Sequence, residues 1–525
     1  MIGGIDMRLD LNTYRDKVMG CWMGKNIGGT LGAPFEGRRR IYDLTGYAQE
    51  VNQNPPPNDD LDLQLVWLNA VEKYGRRVDA RILGEYWMSF IIPDWAEYGA
   101  AKANMRMGLV PPLAGHVGNP FKDSCGSFIR SEIWACLAPG LPEIAARYAY
   151  EDAIVDHSGE GVYGEVFWAA LQSAAFVESD KWKLIDIGLS YIPENCGIAR
   201  GVKIAIDAYR SGADWKEARK IVMNGVPGTF GVLGQPIVDM ETDIAVGEPG
   251  WDAPSNIGIT ILGWLYGEDD FGLSLCTAVN CGEDTDCTGA TLGATLGIIL
   301  GRQALPEEWT APLGDAINTK CIHNLSATLS IPSTVTELTD RVLRLTPSFL
   351  GYPTADILAP GGYTLQVKDS DELFCRKDDL YSTRVYNYGL PKNPTKLGDI
   401  VARAPYAVLY DFVAFSAILD YKEDPFFRPG EPRTVRVRLE TSDFLNHPQW
   451  LELKWHLPEG VSLAENRSCS VFLPTYNMGD TELEFTFATD EFHGDRLEAL
   501  LDITSRGRHS RGTVPVLLLK GTSTF

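Results

Sequence analysis

The sequence predicts a mostly helical domain followed by a β-sandwich. Up to about residue 350, apolar residues recur at the spacing of one helix face. Beyond it they alternate with polar residues, the period of a half-buried strand. The stretch from Gly351 to Thr395 is rich in Gly, Pro and Asp and reads as a linker with some ordered structure. The expected organisation is therefore a helical domain over 1–350, a linker over 351–396 and a sandwich over 397–525.

Tyr14, Val18, Cys21 and Trp22 form the first helical stripe, and Asn12 and Thr13 offer a cap. Gly28 to Glu36 reads as a glycine-rich turn after that helix. It has no Lys-Ser/Thr pair, so it is not a triphosphate cradle. Pro55 to Pro57 force an extended approach to a second stripe, Leu63, Val66, Trp67, Ala70, Val71 and Tyr74, with Gly75 as its stop. Val162, Val166, Ala169, Ala170, Ser173, Ala174 and Val177 form another stripe. Ala290 to Leu300 is small and apolar all round, which predicts a central buried helix. In the last part Val435, Val437 and Leu439 alternate with charged residues. So do Leu451, Leu453, Trp455 and Leu457, and Leu483, Phe485 and Phe487. With runs near 407–420, 469–473, 497–503 and 513–519 this makes about seven short strands, the pattern of a sandwich.

Composition limits the function classes. A chain of 525 residues with 45% hydrophobic and 22% charged residues can bury a large core, and disorder, collagen and coiled coil are excluded. A net charge of −23 argues against a nucleic-acid backbone or an anionic membrane as the main partner. A phosphorylated small molecule can still be held by local arginines or helix N-termini. No apolar run is long enough for a membrane span, and the start has no apolar segment of the signal-peptide kind. Ten cysteines without a C-x-x-C pair read as free thiols in a reducing compartment. The expected location is the cytoplasm.

Two acidic segments carry the chemistry. Asn58-Asp59-Asp60-Leu61-Asp62 opens the second stripe; one acidic residue explains a helix cap, and three in four positions exceed it. Gly282-Glu283-Asp284-Thr285-Asp286-Cys287-Thr288 opens the small-residue helix, where buried aspartates need a positive partner. Such carboxylates suit a hard cation, Mg²⁺ or Ca²⁺. Asp152, Asp156, Glu160 and Glu165 form a dense acidic group that reads first as a solvated face and otherwise as a pocket for sugar hydroxyls. Arg130 either holds a phosphate or pairs with Glu132, and His157 is either structural or a substrate contact. Trp87, Trp95, Trp251 and Trp264 are expected in the core, unless one stacks on a sugar ring.

Three segments, in order, resemble the ADP-ribosylglycohydrolase family, whose members remove ADP-ribose from modified arginine or serine. Pro34 and Glu36 match the family's opening Pro-x-Glu. Asn58, Asp59 and Asp60 match its Thr-Asp-Asp before a long helix. Ala278-Val279-Asn280 with Asp284 and Asp286 match its Ala-Val-Asn and Gly-Gly-Asp-x-Asp-Thr. Ser127 to Arg130, Asp156-His157, Pro306 and Trp309 are weaker matches, and the resemblance spans roughly residues 14 to 345. It implies an all-α domain with two Mg²⁺ ions in a central cleft, Ca²⁺ or Mn²⁺ being the other candidates. The implied metal ligands are Asn58, Asp59, Asp60, Asp284 and Asp286. The implied catalytic residues are Glu36 and Asp60, and the implied substrate contacts are Arg130, Asp156 and His157. Asn58 and Cys287 stand where the family has threonine ligands, and Gly29 where it usually has aspartate.

The function so implied is Mg²⁺-dependent hydrolysis of a glycosidic bond, foremost that of an ADP-ribosyl group on a small molecule or protein. The rival keeps fold and metals but takes an uncharged glycoside or nucleoside. A third reading is a non-catalytic binding protein. The sequence leaves the oligomeric state open.

Overall fold

The computed structural model describes residues 7–226, 250–323, 329–351, 354–375, 401, 403–441, 448–474, 480–508 and 510–522. Its organising element is a pair of antiparallel helices, Leu11–Gly32 and Thr285–Leu300. Gly20, Gly24 and Gly28 of the first face Gly297, Gly293 and Gly289 of the second. A Cβ on Gly24 would lie 2.0 Å from the Gly293 carbonyl oxygen, and one on Gly28 1.9 Å from that of Gly289. The backbones touch with no side chain between them, so each glycine excludes every larger residue. At the end of the pair Thr285 Oγ1 donates to Gly32 O at 2.8 Å. The expected glycine-rich turn is thus corrected. Gly28 to Gly32 lie inside the helix, and only Ala33–Phe35 turn, as one short 3₁₀ segment. The helix starts at Leu11 with Asp10 as its cap, which accepts from Asn12 N and Thr13 N at 2.9 and 3.1 Å. Asn12 and Thr13, the expected caps, are its first residues.

Other helices wrap this pair. Asp59–Tyr74 runs from its Asn58 cap to Gly75, whose φ of 58° ends it, as the sequence predicts. Val335–Leu350 packs on the opening helix, where Tyr14 OH lies 2.6 Å from Thr346 Oγ1. The ordered part of the expected linker belongs to this body. Thr364–Val367 pairs with Met7–Asp10 on one side and Ala355–Asp356 on the other, and Leu365 and Leu373 are buried in the helical core. Residues 376–396 lie outside the described residues.

The C-terminal part forms two five-stranded, mainly antiparallel sheets. One runs Ser468–Leu473, Gln449–His456, Arg496–Ser505, Arg511–Lys520, Phe426–Phe427. The other runs Ala407–Asp411, Phe415–Asp420, Arg433–Thr441, Thr481–Ala488, Ser462–Leu463. Inward residues of both, such as Val435, Val437, Leu453, Trp455 and Phe485, share one core. There are ten strands among the described residues rather than about seven. The run at 407–420 is a hairpin of two strands, and two edge strands have only two residues each. Leu109 and Leu113 of the helical body are buried in the sandwich core, and His116 Nε2 lies 3.1 Å from Tyr406 OH. The sandwich therefore docks on the segment that follows helix Ala96–Arg106.

The glycine contact is testable. Alanine normally improves a helix interior by about 1 kcal/mol over glycine. Gly24→Ala is expected instead to destabilise by about 2 kcal/mol or more, because its Cβ meets backbone that must shift. Gly46→Ala, in open space, should stay within about 0.5 kcal/mol. Urea unfolding midpoints of the two variants decide it.

Candidate active site

The helix pair brings the two acidic segments together. The opening helix ends, the 3₁₀ turn follows, and Glu36 emerges beside the start of Thr285–Leu300. The next residues lock it there: Gly37 N donates to Glu283 O and Glu283 N to Arg38 O, both at 2.8 Å. Arg39 and Glu283 form a buried ion pair at 2.7 Å. Glu283 has φ of 67°, a left-handed conformation uncommon outside glycine. That bend turns its side chain back to Arg39 while Asp284 and Asp286 face a cleft of about 320 Å³. Asp59 and Asp60 enter from the first turn of their helix, and Glu36, Glu97 and Lys320 complete the charged lining.

The three aspartates of the first segment have different partners. Asp59 Oδ1 meets Lys320 Nζ at 2.7 Å. Asp62 Oδ2 accepts from Lys320 N and Cys321 N at 2.7 and 2.6 Å, which anchors the loop that presents Lys320. Asp60 Oδ1 accepts from the Cys287 thiol at 3.3 Å, and Asp60 Oδ2, though buried, has no hydrogen-bond partner among the described residues. Asp284 Oδ1 is in the same state. Asn58 Oδ1 accepts from Asp60 N at 2.8 Å, and its amide fills the space that Gly29 leaves open.

Donor atoms of Asp60, Asp286 and Cys287 lie within 4.8 Å of one another, and so do those of Glu36, Asp284 and Asp286. Burial first, then repulsion from Glu36 and Asp59, pushes Asp286 up to about 8. Burial and Asp286 raise both Asp60 and Asp284 well above the usual carboxylate range. Glu36 is exposed as a residue, but its carboxyl group sits among buried aspartates; loss of solvent, then Asp59, raises it to about 7. Burial works against the Lys320 ammonium, and Asp59, Glu36 and Asp286 overcome it and raise its pKa. One lysine does not balance this set. Buried, orphaned carboxylate oxygens with raised proton affinity fit a divalent cation.

The expected substrate contacts lie outside the described cleft lining. Arg130, Asp156 and His157 are fully buried behind the cleft wall. Arg130 meets Asp152 at 2.8 Å and Asp156 at 2.5 Å, with Glu165 at 3.8 Å. Three buried carboxylates need a buried cation, so the guanidinium is spent internally and not on a phosphate. Glu132, the alternative partner, pairs with Lys25 at 3.1 Å instead. The solvated-face reading of the acidic group fails for the same reason: Asp152, Asp156 and Glu165 are buried. Glu160 is half-buried and caps Gly197 N and Ile198 N at 2.8 and 2.9 Å. His157 Nδ1 lies 2.9 Å from Asp156 Oδ1, without good hydrogen-bond alignment, and its Nε2 lies 2.7 Å from Ser124 Oγ.

Sequence reasoning missed Lys320 and Glu97, both in the cleft lining. Lys320 sits in a loop without periodic signal, and only the contact with Asp59 and Asp62 reveals it. Glu97 looks like an ordinary first-turn acid, yet burial raises it to about 7. The tryptophans divide. Trp87 and Trp264 are core, whereas Trp95, 51% exposed, and Trp251 line the cleft. Among the described residues no helix is long and apolar enough to cross a membrane.

No curated protein matches the chain. A solved structure described as an ADP-ribosylglycohydrolase-related protein complex is 19% identical, covering 65% of this chain and 100% of its own, with a TM-score of 0.41. The ADP-ribosylglycohydrolase family model matches residues 10–345, from the cap of the opening helix into Val335–Leu350. With well over half its length inside that match, the chain belongs to the ADP-ribosylglycohydrolase family.

Proposed function

We propose that the protein is a divalent-cation-dependent hydrolase of a glycosidic bond, foremost that of an ADP-ribosyl group. The observation that carries this is the set of buried carboxylates around Asp286, with two orphaned oxygens and one lysine against them. Asp60, Asp284 and Asp286, with Glu36 or Asp59 beside them, would hold the cation, Mg²⁺ in the first instance. That Asp286 belongs to both donor groups supports two positions. When bound, divalent cations supply Lewis-acid contacts to ring hydroxyls and polarise a water. Glu36, titrating near 7, is suited to hold a proton and pass it to a leaving oxygen or take it from water. Trp95 and Tyr98, stacked with centroids 6.3 Å apart, offer a flat apolar wall for a sugar or base. The carboxylate shell favours the positive charge of an oxocarbenium-like transition state.

A diphosphate needs donors, and Arg130 does not supply them. Of the three arginines that follow Glu36 along the chain, Arg39 is buried against Glu283, and Arg38 and Arg40 are exposed. The second reading, an uncharged glycoside or nucleoside, is favoured by a described cleft lining without arginine and with aromatic faces. Release of ADP-ribose from modified arginine or serine, assayed beside a panel of aryl glycosides with Mg²⁺, separates them. ADP-ribose release without glycoside turnover is expected, and the reverse result would replace the first reading by the second.

Asp284→Ala is expected to abolish hydrolysis and the cation-dependent rise in Tm, since a ligand that binds only the folded state stabilises it. Full activity in excess chelator would refute the cation-dependent reading.

The raised carboxylates also set a pH profile. Folded, Glu36 and Asp286 titrate at about 7 and about 8, against ordinary values of 4.5 and 3.8. The folded state therefore holds more protons between those limits, and cation-free stability should fall as pH rises from about 4 to about 8. Asp286→Asn should flatten that fall in thermal scans, and added Mg²⁺ should offset it.

A further inference from the structure

The two donor groups of the cleft differ in chemistry. Glu36, Asp284 and Asp286 offer oxygen alone, whereas the other group joins Asp60 and Asp286 to a sulfur, Cys287 Sγ. We infer that the two halves select different cations: the all-carboxylate half a hard dication of the Mg²⁺ kind, the Cys287 half a thiophilic dication of the Zn²⁺ kind. This rests on the cation-dependent reading proposed above and goes beyond it.

Cys287 is 7% exposed, lines the cleft, and lies 3.3 Å from Asp60 Oδ1. The orphaned Asp60 Oδ2, on a residue 2% exposed, is the independent sign that this half awaits a ligand. No hydroxyl substitutes for the thiol there. Thr288, the next residue, is fully buried and donates back to Thr285 O at 3.2 Å. A Mg²⁺ ion demands a near-octahedral oxygen shell and gains little from sulfur. Two carboxylates and a thiolate are instead donors of the kind a zinc centre takes. Coordination would replace the S–H bond by a metal–sulfur bond and release the thiol proton to solvent. The charge-dense half would keep a hard ion, since it has no soft atom to offer.

The test uses the full chain, stripped of metal with a chelator and kept anaerobic. It is titrated with Co²⁺ as a coloured substitute for Zn²⁺, with and without saturating Mg²⁺. The expected result is a sulfur-to-cobalt charge-transfer band for one Co²⁺ per chain that persists in Mg²⁺. Cys287→Ser should abolish the band and weaken Cd²⁺ binding by on the order of 100-fold, while Mg²⁺ still raises Tm. Cys469→Ser, in the sandwich, should keep the band. A band that survives Cys287→Ser, or no band in a wild type that Mg²⁺ stabilises, overturns the inference and leaves the cation-dependent reading standing. Should Cys287→Ser not fold, elemental analysis of wild type dialysed against both ions decides: one Zn²⁺ and one Mg²⁺ per chain supports the inference, and two of either overturns it. If no dication raises Tm at all, the cation-dependent reading itself fails, and this inference with it.

Discussion

Everything at the cleft depends on two helix backbones that touch. Because Gly20, Gly24 and Gly28 meet Gly297, Gly293 and Gly289 without intervening side chains, the axial register of the two helices is fixed by carbonyl oxygens against Cα carbons. Antiparallel packing then puts the end of one helix beside the beginning of the other. Glu36 leaves the first end, and Asp284 and Asp286 sit at the second. The positive end of the Thr285–Leu300 dipole faces these carboxylates and offsets part of their repulsion.

Around this pair, several buried charges are paired. Lys25 answers Glu132, and Arg39 answers Glu283. Arg130 sits among three carboxylates. Pairs of this kind contribute little net stability, but removing one partner costs several kcal/mol, roughly 3–5. The orphaned oxygens of Asp60 and Asp284 share this state with those of Glu165; what sets the cleft apart is that its carboxylates line a cavity. The wall in front of them is held from both sides: Asp62 fixes the Lys320 loop, and the sandwich grips residues just beyond helix Ala96–Arg106.

Much of this was legible in the chain itself. The stripe from Leu63 to Tyr74, its stop at Gly75 and the alternating runs after 430 translate directly, because burial on one face imposes a period. The glycine contact did not, since small residues every fourth position carry no hydrophobic signal and look like a turn. Arg130 and His157 were readable as residues with a task but not as buried ones. Four charges close in space but spread over 130–165 look like a wet helix face until the fold is known. Lys320 and Glu97 were missed because their meaning lies wholly in what they approach. Trp95 could not be told from Trp87 by composition, as both sit in similar aromatic surroundings and only one reaches the cleft mouth.

The glycine-paired helices also bear on how the chain is made. Gly32 and Thr285, joined by a hydrogen bond, are 253 residues apart. At about 5–20 residues per second, the opening helix leaves the ribosome tens of seconds before its partner does. During that interval its groove of bare backbone, and the apolar residues that flank it, have nothing to close against. The first strand waits longer still, because Met7–Asp10 pairs with Thr364–Val367. The N-terminal segment is thus the earliest part of the helical body to be synthesised and among the last to be seated.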